Sequence, residues 1–202
     1  MKVLIACEYS GIVRDAFKAC GHDAWSCDIL PTESKGNHIQ GDVLEVLDDG
    51  WDLMIGHPPC TYLSYAGTRH WNNEGRLENR LKALEFFGKL WLAPIGKICL
   101  ENPKGCASPT IAKYSQEIQP YYFGDDALKT TWLWLKNLPK LRYKLEEDLF
   151  STKTGISKPE PLSIQENGKK RYFSDSKIRC QKKRSKFWPG IARAMAEQWG
   201  ME

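Results

Sequence analysis

Residues 52–64 read DLMIGHPPCTYLS, and this stretch decides the fold that the sequence predicts. A short apolar run is followed by Pro58 and Pro59, and Cys60 comes next. Because proline lacks an amide donor and holds φ at about −65°, the pair should end a strand and place Cys60 on a stiff turn. Ligands bind at the carboxyl ends of the strands in an open α/β sheet. Cys60 is therefore predicted to stand at a ligand-binding edge.

Apolar runs and helical periodicities alternate on both sides of this stretch. Residues 2–7 and 95–100 are nearly continuous apolar runs, which is typical of buried parallel strands. Residues 12–20 and 77–92 have helical spacing. The alternation predicts an α/β fold with a mostly parallel sheet and helices on both faces. Further elements are predicted as strands at 23–27 and 131–135 and as helices at 110–118 and 187–199.

Positive charge is concentrated late in the 202-residue chain, whose formal net charge is +4. Between residues 142 and 186 there are 13 Lys and Arg against 6 Asp and Glu. Prolines and broken periodicity there predict a small basic insertion at 145–186, between an α/β domain at 1–144 and a closing helix within 187–202. The charge suits nucleic acid, and a solvated lobe explains it equally well.

Cysteine usage and hydropathy point to the cytoplasm. The seven cysteines include no Cys-x-x-Cys pair, so neither a disulfide framework nor a metal site is expected. No apolar run approaches the ~20 residues that span a bilayer. The first residues lack the apolar region of a secretory signal.

Acidic residues follow the first predicted strands. Glu8, Ser10 and Gly11 form a turn before the first predicted helix, where backbone amides can hold a polar ligand. Asp28 lies about 20 residues after the first strand, where an acid can accept both hydroxyls of a ribose. Asp42 could hold an amine or a purine edge. A helix cap or an exposed turn is the commoner role of such an acid, and the joint spacing makes a nucleoside site an equal alternative.

A second acid and an amide end the strand predicted at 95–100. Glu101 and Asn102 should lie at the same sheet edge as Cys60. A cysteine there can act as a nucleophile if its thiolate is stabilised, and a carboxylate can bind the amidine-like face of a heterocycle. The alternatives are a buried cysteine and a helix cap followed by a turn proline.

Four segments carry a family resemblance. They are GHPPC at 56–60 with Ser64, KICLENPKG at 97–105, YFG at 122–124 continuing through KTTWLWL at 129–135, and the closing segment at 187–199. Together they resemble the DNA cytosine-5 methyltransferases, especially the short phage and prophage members. The resemblance implies an S-adenosylmethionine-dependent methyltransferase (Rossmann-like) fold.

The resemblance also implies a role for each matching residue. Cys60 would attack C6 of cytosine, Glu101 would hold N3 and the exocyclic amine, and C5 would receive a methyl group from S-adenosyl-L-methionine. A cytosine in duplex DNA would have to be flipped out. The implied residues are catalytic Cys60, Glu101, Asn102 and Lys129; cofactor-binding Cys7, Glu8, Ser10, Gly11, Asp28, Asp42, His57 and Pro58; and DNA-binding Ser64, Thr131, Lys169, Lys170, Arg171, Lys182, Lys183 and Arg184.

The chain departs from the family pattern at several positions. Thr61 replaces a usual glutamine, and Lys129 and Thr131 stand where two arginines are common. Three alternatives therefore stay open. They are the same chemistry on a free pyrimidine nucleotide, a variant of the amino-methyltransferase loop, and a non-catalytic nucleic-acid-binding relic of the fold. A cysteine in place of the aromatic residue argues against the second.

Overall fold

The computed structural model describes residues 1–143, 158–165, 168, 170–171 and 186–201. The strands within these residues are β1 (Lys2–Ala6), β2 (Asp23–Asp28), β3 (His38–Gln40), β4 (Leu53–Gly56), β5 (Lys97–Pro103), β6 (Gln116–Ile118), β7 (Thr131–Lys136), β8 (Ser163–Ile164) and β9 (Lys170–Arg171). The helices are α1 (Ile12–Ala19), α2 (Arg76–Trp91), α3 (Ala107–Thr110) and α4 (Pro189–Trp199). Short 3-10 turns occupy Val43–Glu45, Tyr65–His70 and Pro120–Phe123.

Seven strands form one sheet in the order β3-β2-β1-β4-β5-β7-β6. The five strands from β3 to β5 are parallel, whereas β7 runs antiparallel to both β5 and β6. This is a Rossmann-like α/β fold with a mostly parallel sheet, and the fold class predicted from the sequence is confirmed. The strand order reverses between β1 and β4, so the carboxyl ends of these strands border a crevice.

Apolar side chains on both faces of the sheet explain why helices cover both. In β1, Val3 and Ile5 belong to the core beneath α1 and α4, whereas Leu4 and Ala6 belong to the core beneath α2. Successive residues of a strand point to opposite faces. A nearly continuous apolar run therefore requires a helix on each side.

The helix predicted at 110–118 is wrong. The chain makes only the short α3 there and then forms the edge strand β6, which pairs with β7. The side chain of Gln116 is bound at both ends by the backbone of Leu141, with each hydrogen bond at 2.8 Å. Pairing with a distant strand outweighs the local helical preference.

Helix α2 confirms the helix predicted at 77–92, but its first turns do not cover the sheet. Leu77 and Leu81 are 61% and 57% exposed, whereas Phe87 and Leu90 are buried. The start of the helix instead contacts the segment that follows Cys60, as described below. Within the described part of the chain, no helix is both long and apolar enough to cross a bilayer.

The basic insertion predicted at 145–186 falls mostly outside the described residues. Its described part includes the hairpin of β8 and β9, in which Ser163 pairs with Arg171 and Ile164 pairs with Lys170. Lys170 is exposed. Lys169, Lys182, Lys183 and Arg184 lie outside the described residues, so their predicted contact with DNA remains a prediction.

A buried arginine holds the segment between β2 and β3 against α1. Arg14 is fully buried, and its guanidinium donates to Ser26 Oγ at 3.1 Å and to the Ser34 carbonyl at 3.3 Å. It also donates to Asp15 Oδ1 at 2.8 Å and to the Ser34 hydroxyl. The segment that follows Asp28 therefore depends on one side chain of α1.

Replacing this guanidinium should destabilise the protein. We expect Arg14→Met to lower the free energy of unfolding by about 2–4 kcal/mol, because several buried acceptors lose their donor. Urea denaturation measures the loss. Lys18→Met, on the exposed side of the same helix, should change stability by less than about 0.5 kcal/mol. Equal effects of the two substitutions would contradict the role of Arg14.

Candidate active site

The carboxyl ends of β4 and β5 lie side by side. Gly56 pairs with Leu100 in the parallel ladder, so the next residues of the two strands, His57 and Glu101, are neighbours. The amide of His57 also donates to the Ala6 carbonyl of β1 at 2.9 Å. Residues from three adjacent strands therefore meet at one edge.

A side chain of β5 holds the turn that carries Cys60. The Asn102 side chain is buried, and its amide donates to the Pro58 carbonyl at 2.7 Å. Beyond the prolines, the Cys60 carbonyl accepts the amides of Leu63 and Ser64 at 3.1 and 3.0 Å. Pro58 is buried and Cys60 is exposed. The thiol therefore stands on an anchored turn.

The same turn is joined to the segment after β5. The Tyr65 amide donates to the Lys104 carbonyl at 3.0 Å, and the Cys106 amide donates to the Leu63 carbonyl at 2.9 Å. Gly105 pairs with Ser64 between these bonds. A Cβ atom on Gly105 would lie 2.2 Å from the Leu63 carbonyl oxygen, so the close approach requires glycine here.

Glu101 is a buried carboxylate with polar neighbours, 8% exposed. Burial raises the pKa of this carboxyl, but contacts with His57 and Thr131 and the positive charge of Lys129 outweigh burial, so the pKa lies below its ordinary range. The structure thus brings together four residues with different predicted roles. Glu101 and Lys129 were predicted to be catalytic, His57 to bind the cofactor and Thr131 to bind DNA.

His57 fills the space between Glu101 and the C-terminal segment. Its Nδ1 lies 3.6 Å from Glu101 Oε2, and its ring centroid lies 4.5 Å from that of Phe187. The side chains of His57 and Glu101 are each 11% exposed. Within the described residues, neither ring nitrogen of His57 has a hydrogen-bond partner. The imidazole is therefore directed at the carboxylate by packing.

The Glu8 carboxylate is buried and accepts hydrogen bonds from the turn and the first turn of α1. It is 3% exposed, and it accepts the amide of Val13 at 2.8 Å, the amide of Arg14 at 3.2 Å and the Ser10 hydroxyl at 3.2 Å. Gly11 makes the turn possible with φ of 76°. The first amides of α1 are thus bound by the chain's own acid, which differs from the expectation that they hold a ligand.

Asp28 and Asp42 lie close to Cys7 at the ends of the first strands. Burial and then the nearby Asp28, Cys27 and Asp42 raise the pKa of the Cys7 thiol. Asp28 also accepts the Leu30 amide at 2.9 Å, and Asp42 accepts the Leu44 amide at 3.0 Å. Each acid therefore serves as a turn cap, and the two also create a negatively charged edge.

An exposed aliphatic side chain and an unusual backbone conformation lie at this edge. Ile29, which directly follows Asp28, is 75% exposed. Cys7 holds the left-handed conformation, with φ of 60°, where β1 ends. A non-glycine residue in that region is uncommon and often marks a functional turn. The edge thus combines acids, a strained turn and an exposed aliphatic side chain.

Two arginines of α2 brace the segment after Cys60, and the sequence analysis missed them. Arg76 donates to the Thr61 carbonyl at 2.6 Å and lies 4.5 Å above the Tyr62 ring. Arg80 lies 3.9 Å above the Trp71 ring. Only the alternation of aromatic and basic residues over 62–80 could have indicated these contacts. Phe187, which packs on His57, was likewise expected only as a sheet-facing residue.

The remaining predicted residues take simpler positions. The Ser64 hydroxyl accepts the Ala66 amide at 3.2 Å and begins a 3-10 turn. Arg171 lies in β9, which belongs to a separate two-stranded sheet with β8.

Among the residues that the structure describes, no group of three or more His, Cys, Asp or Glu side chains is arranged to hold a metal ion.

No protein-family model matches the sequence, and no curated protein matches it. Among solved structures, the chain is similar to a protein of E. coli that is described as a DNA modification methyltransferase encoded within a prophage. The two chains are 14% identical with a TM-score of 0.40, and the match covers 66% of this chain and 45% of that chain. This chain therefore spans less than half the length of that protein.

A methyl group at Gly105 should disturb the turn that carries Cys60. We expect Gly105→Ala to lower the free energy of unfolding by about 1–3 kcal/mol, because the new Cβ must push the Leu63 carbonyl away. Urea denaturation gives the loss. The rate at which iodoacetamide modifies Cys60, followed by mass spectrometry, should change as well.

Gly96→Ala is the matched control, because a Cβ there would meet nothing within 4 Å. This variant should keep both the stability and the Cys60 alkylation rate of the unchanged protein. An unaltered alkylation rate in Gly105→Ala would show that the contact does not position the thiol.

Proposed function

We propose that this protein is an S-adenosyl-L-methionine-dependent methyltransferase that acts on C5 of cytosine in DNA through a covalent bond between Cys60 and C6. One observation carries the proposal. A cysteine on a Pro-Pro turn is anchored by Asn102 to the strand that also carries the buried Glu101. A nucleophile and a carboxylate thus belong to one rigid edge, as covalent catalysis on a heterocycle requires.

The proposed reaction begins with the Cys60 thiolate. Its sulfur forms a bond to C6, and electron density moves through the ring toward N3, which takes up a proton by way of Glu101 as the bond forms. Glu101 also accepts the exocyclic amine, which distinguishes cytosine from a base with a carbonyl at that position. After C5 has been methylated, a water molecule takes the C5 proton, the electrons of that bond restore the C5–C6 double bond, and the cysteine sulfur leaves with the electrons of the C6–S bond.

Lys129 and Thr131 have supporting roles in this proposal. Both interact with Glu101, Thr131 from the first position of β7 and Lys129 from the segment just before it. Lys129 is partly buried and Thr131 is fully buried. A cation in this position can bind the O2 carbonyl of the base, where the resemblance predicts arginine. Thr131 keeps the carboxylate oriented.

The edge formed by β1, β2 and β3 fits a cationic nucleoside cofactor. Asp28 and Asp42 make it negative, and Glu8 already fills the amides of α1 that would otherwise bind a phosphate. A dinucleotide would therefore meet repulsion where its pyrophosphate normally binds. S-adenosyl-L-methionine carries a sulfonium and no phosphate, and when bound it supplies the methyl group.

The choice of DNA as the substrate rests on charge. The sequence concentrates basic residues between 142 and 186, and Lys170 is exposed on β9. Lys and Arg on a surface bind the phosphates of nucleic acid without regard to sequence. A free pyrimidine nucleotide would use the same chemistry, and the trapping experiment below separates the two substrates.

Covalent trapping tests the reaction. With S-adenosyl-L-methionine present, the protein should form a stable adduct with random-sequence DNA whose cytosines are replaced by 5-fluorocytosine, because fluorine at C5 blocks the final elimination. Denaturing gel electrophoresis and mass spectrometry detect the adduct. Cys60→Ala should form none, and Cys20→Ala, which removes another exposed cysteine, should form as much as the unchanged protein.

The outcomes separate the alternatives. An adduct that survives Cys60→Ala would overturn the mechanism. An adduct with 5-fluoro-dCMP but not with DNA would assign the chemistry to a free nucleotide. No adduct with either substrate, together with retained DNA binding, would favour a non-catalytic relic of the fold.

Calorimetry tests the cofactor site separately. We expect Asp28→Asn to weaken the binding of S-adenosyl-L-methionine about tenfold, or ~1.4 kcal/mol. Asparagine can still accept the Leu30 amide, so the loss reports the missing charge. Asp48→Asn, at an exposed acid, should leave the affinity unchanged. If the unchanged protein does not bind the cofactor, the proposed function fails.

A further inference from the structure

We propose that His57 supplies, through Glu101, the proton that N3 of the base receives when Cys60 attacks C6. This inference rests on the proposed function. It gives His57 a role in proton transfer, whereas the sequence predicted only that this residue binds the cofactor. His57 acts through Glu101 and is therefore a positioning and proton-supplying residue.

The geometry directs the imidazole at one atom. His57 Nδ1 lies 3.6 Å from Glu101 Oε2, and the ring packs against Phe187 with the two ring centroids 4.5 Å apart. The backbone of His57 is held by Ala6, and the next residue is held by Asn102. The imidazole therefore has an anchored backbone and a packed ring, and a small shift brings Nδ1 within hydrogen-bonding distance of the carboxylate.

The chemistry needs a proton that Glu101 does not hold by itself. The charge of Lys129 and the contacts with Thr131 and His57 outweigh burial and lower the pKa of Glu101, so at neutral pH the side chain is a carboxylate. A carboxylate accepts hydrogen bonds and cannot protonate N3. An imidazolium beside it can restore the missing proton.

The other groups around the pair do not offer this proton. Lys129 approaches from the segment before β7 and acts on Glu101 through its positive charge. Cys99, in the same strand as Glu101, has its thiol pKa raised well above the ordinary range by burial and then by Glu101. Phe187 is apolar. Among the described groups around Glu101, His57 is thus the one whose ring nitrogen faces the carboxylate and can carry a transferable proton.

The proton movements balance in both directions. During the attack, the sulfur lone pair forms the bond to C6, the His57 imidazolium gives its proton to the Glu101 carboxylate, and the carboxyl so formed passes a proton to N3. His57 is then a neutral imidazole and Glu101 a carboxylate. When the C6–S bond breaks, the sulfur leaves with its electron pair and the N3 proton returns along the same path.

The experiment compares His57→Gln with the unchanged protein across pH. The rate is measured as tritium transfer from labelled S-adenosyl-L-methionine to unmethylated random-sequence DNA and as adduct formation with the 5-fluorocytosine DNA. Both proteins are first checked for cofactor affinity by calorimetry and for thermal stability. His70→Gln, which removes an exposed imidazole, serves as the control and should keep the rate of the unchanged protein.

We expect His57→Gln to slow both rates by on the order of 10²-fold near pH 7.5, the usual scale of a lost acid–base group. The deficit should shrink as the pH falls, because uptake of a proton by Glu101 directly from solvent becomes more frequent with each pH unit even while the carboxyl stays mostly ionised. A deficit that stays constant across pH would overturn the inference, since loss of packing alone does not depend on proton concentration.

A double-substitution cycle tests the same idea independently of pH. If His57 acts only through Glu101, adding His57→Gln to Glu101→Gln should not slow adduct formation further. Additive losses would assign His57 a separate structural role. Failure of the unchanged protein to form any adduct would instead refute the proposed function, so the two failures are distinguishable.

Discussion

The hydrogen bond from the Asn102 side chain to the Pro58 carbonyl is the contact on which the site depends. It crosses from β5 to the turn after β4, and it is buried at 2.7 Å. Two prolines remove amide donors from that turn, so the turn has few other ways to bind the sheet. Because one end of the bond belongs to the strand of Glu101 and the other to the turn of Cys60, the bond sets the positions of these two side chains relative to each other.

The sequence predicted the parts of this arrangement that depend on local pattern. The apolar runs that became β1, β4 and β5 are continuous because both faces are buried, and the proline pair ends β4 where expected. Adjacency of His57 and Glu101 then follows from parallel pairing. The acids at 28 and 42 were also found, and their hydrogen bonds to the Leu30 and Leu44 amides agree with the turn-capping alternative that the sequence left open.

The parts that were missed depend on distant partners. Strand β6 forms because β7 offers its edge, and the local sequence carries a helical pattern instead. Arg14 looks like a surface residue of an amphipathic helix, yet its guanidinium is buried by a segment that begins twelve or more residues later. The stacking of Arg76 and Arg80 on aromatic rings likewise requires knowing how α2 approaches the segment after Cys60. Such contacts are visible only once the chain is folded.

The pairing of Ser64 with Gly105 has a consequence for how this chain can change in length. Hydrogen bonds on both sides of that pair close a ring between the turn of Cys60 and the end of β5. An insertion between residues 57 and 63 would enlarge that ring and displace Cys60 within it, whereas residues 72–75 lie exposed outside it. Natural variants of this protein should therefore gain and lose residues in the second stretch and keep the length of the first.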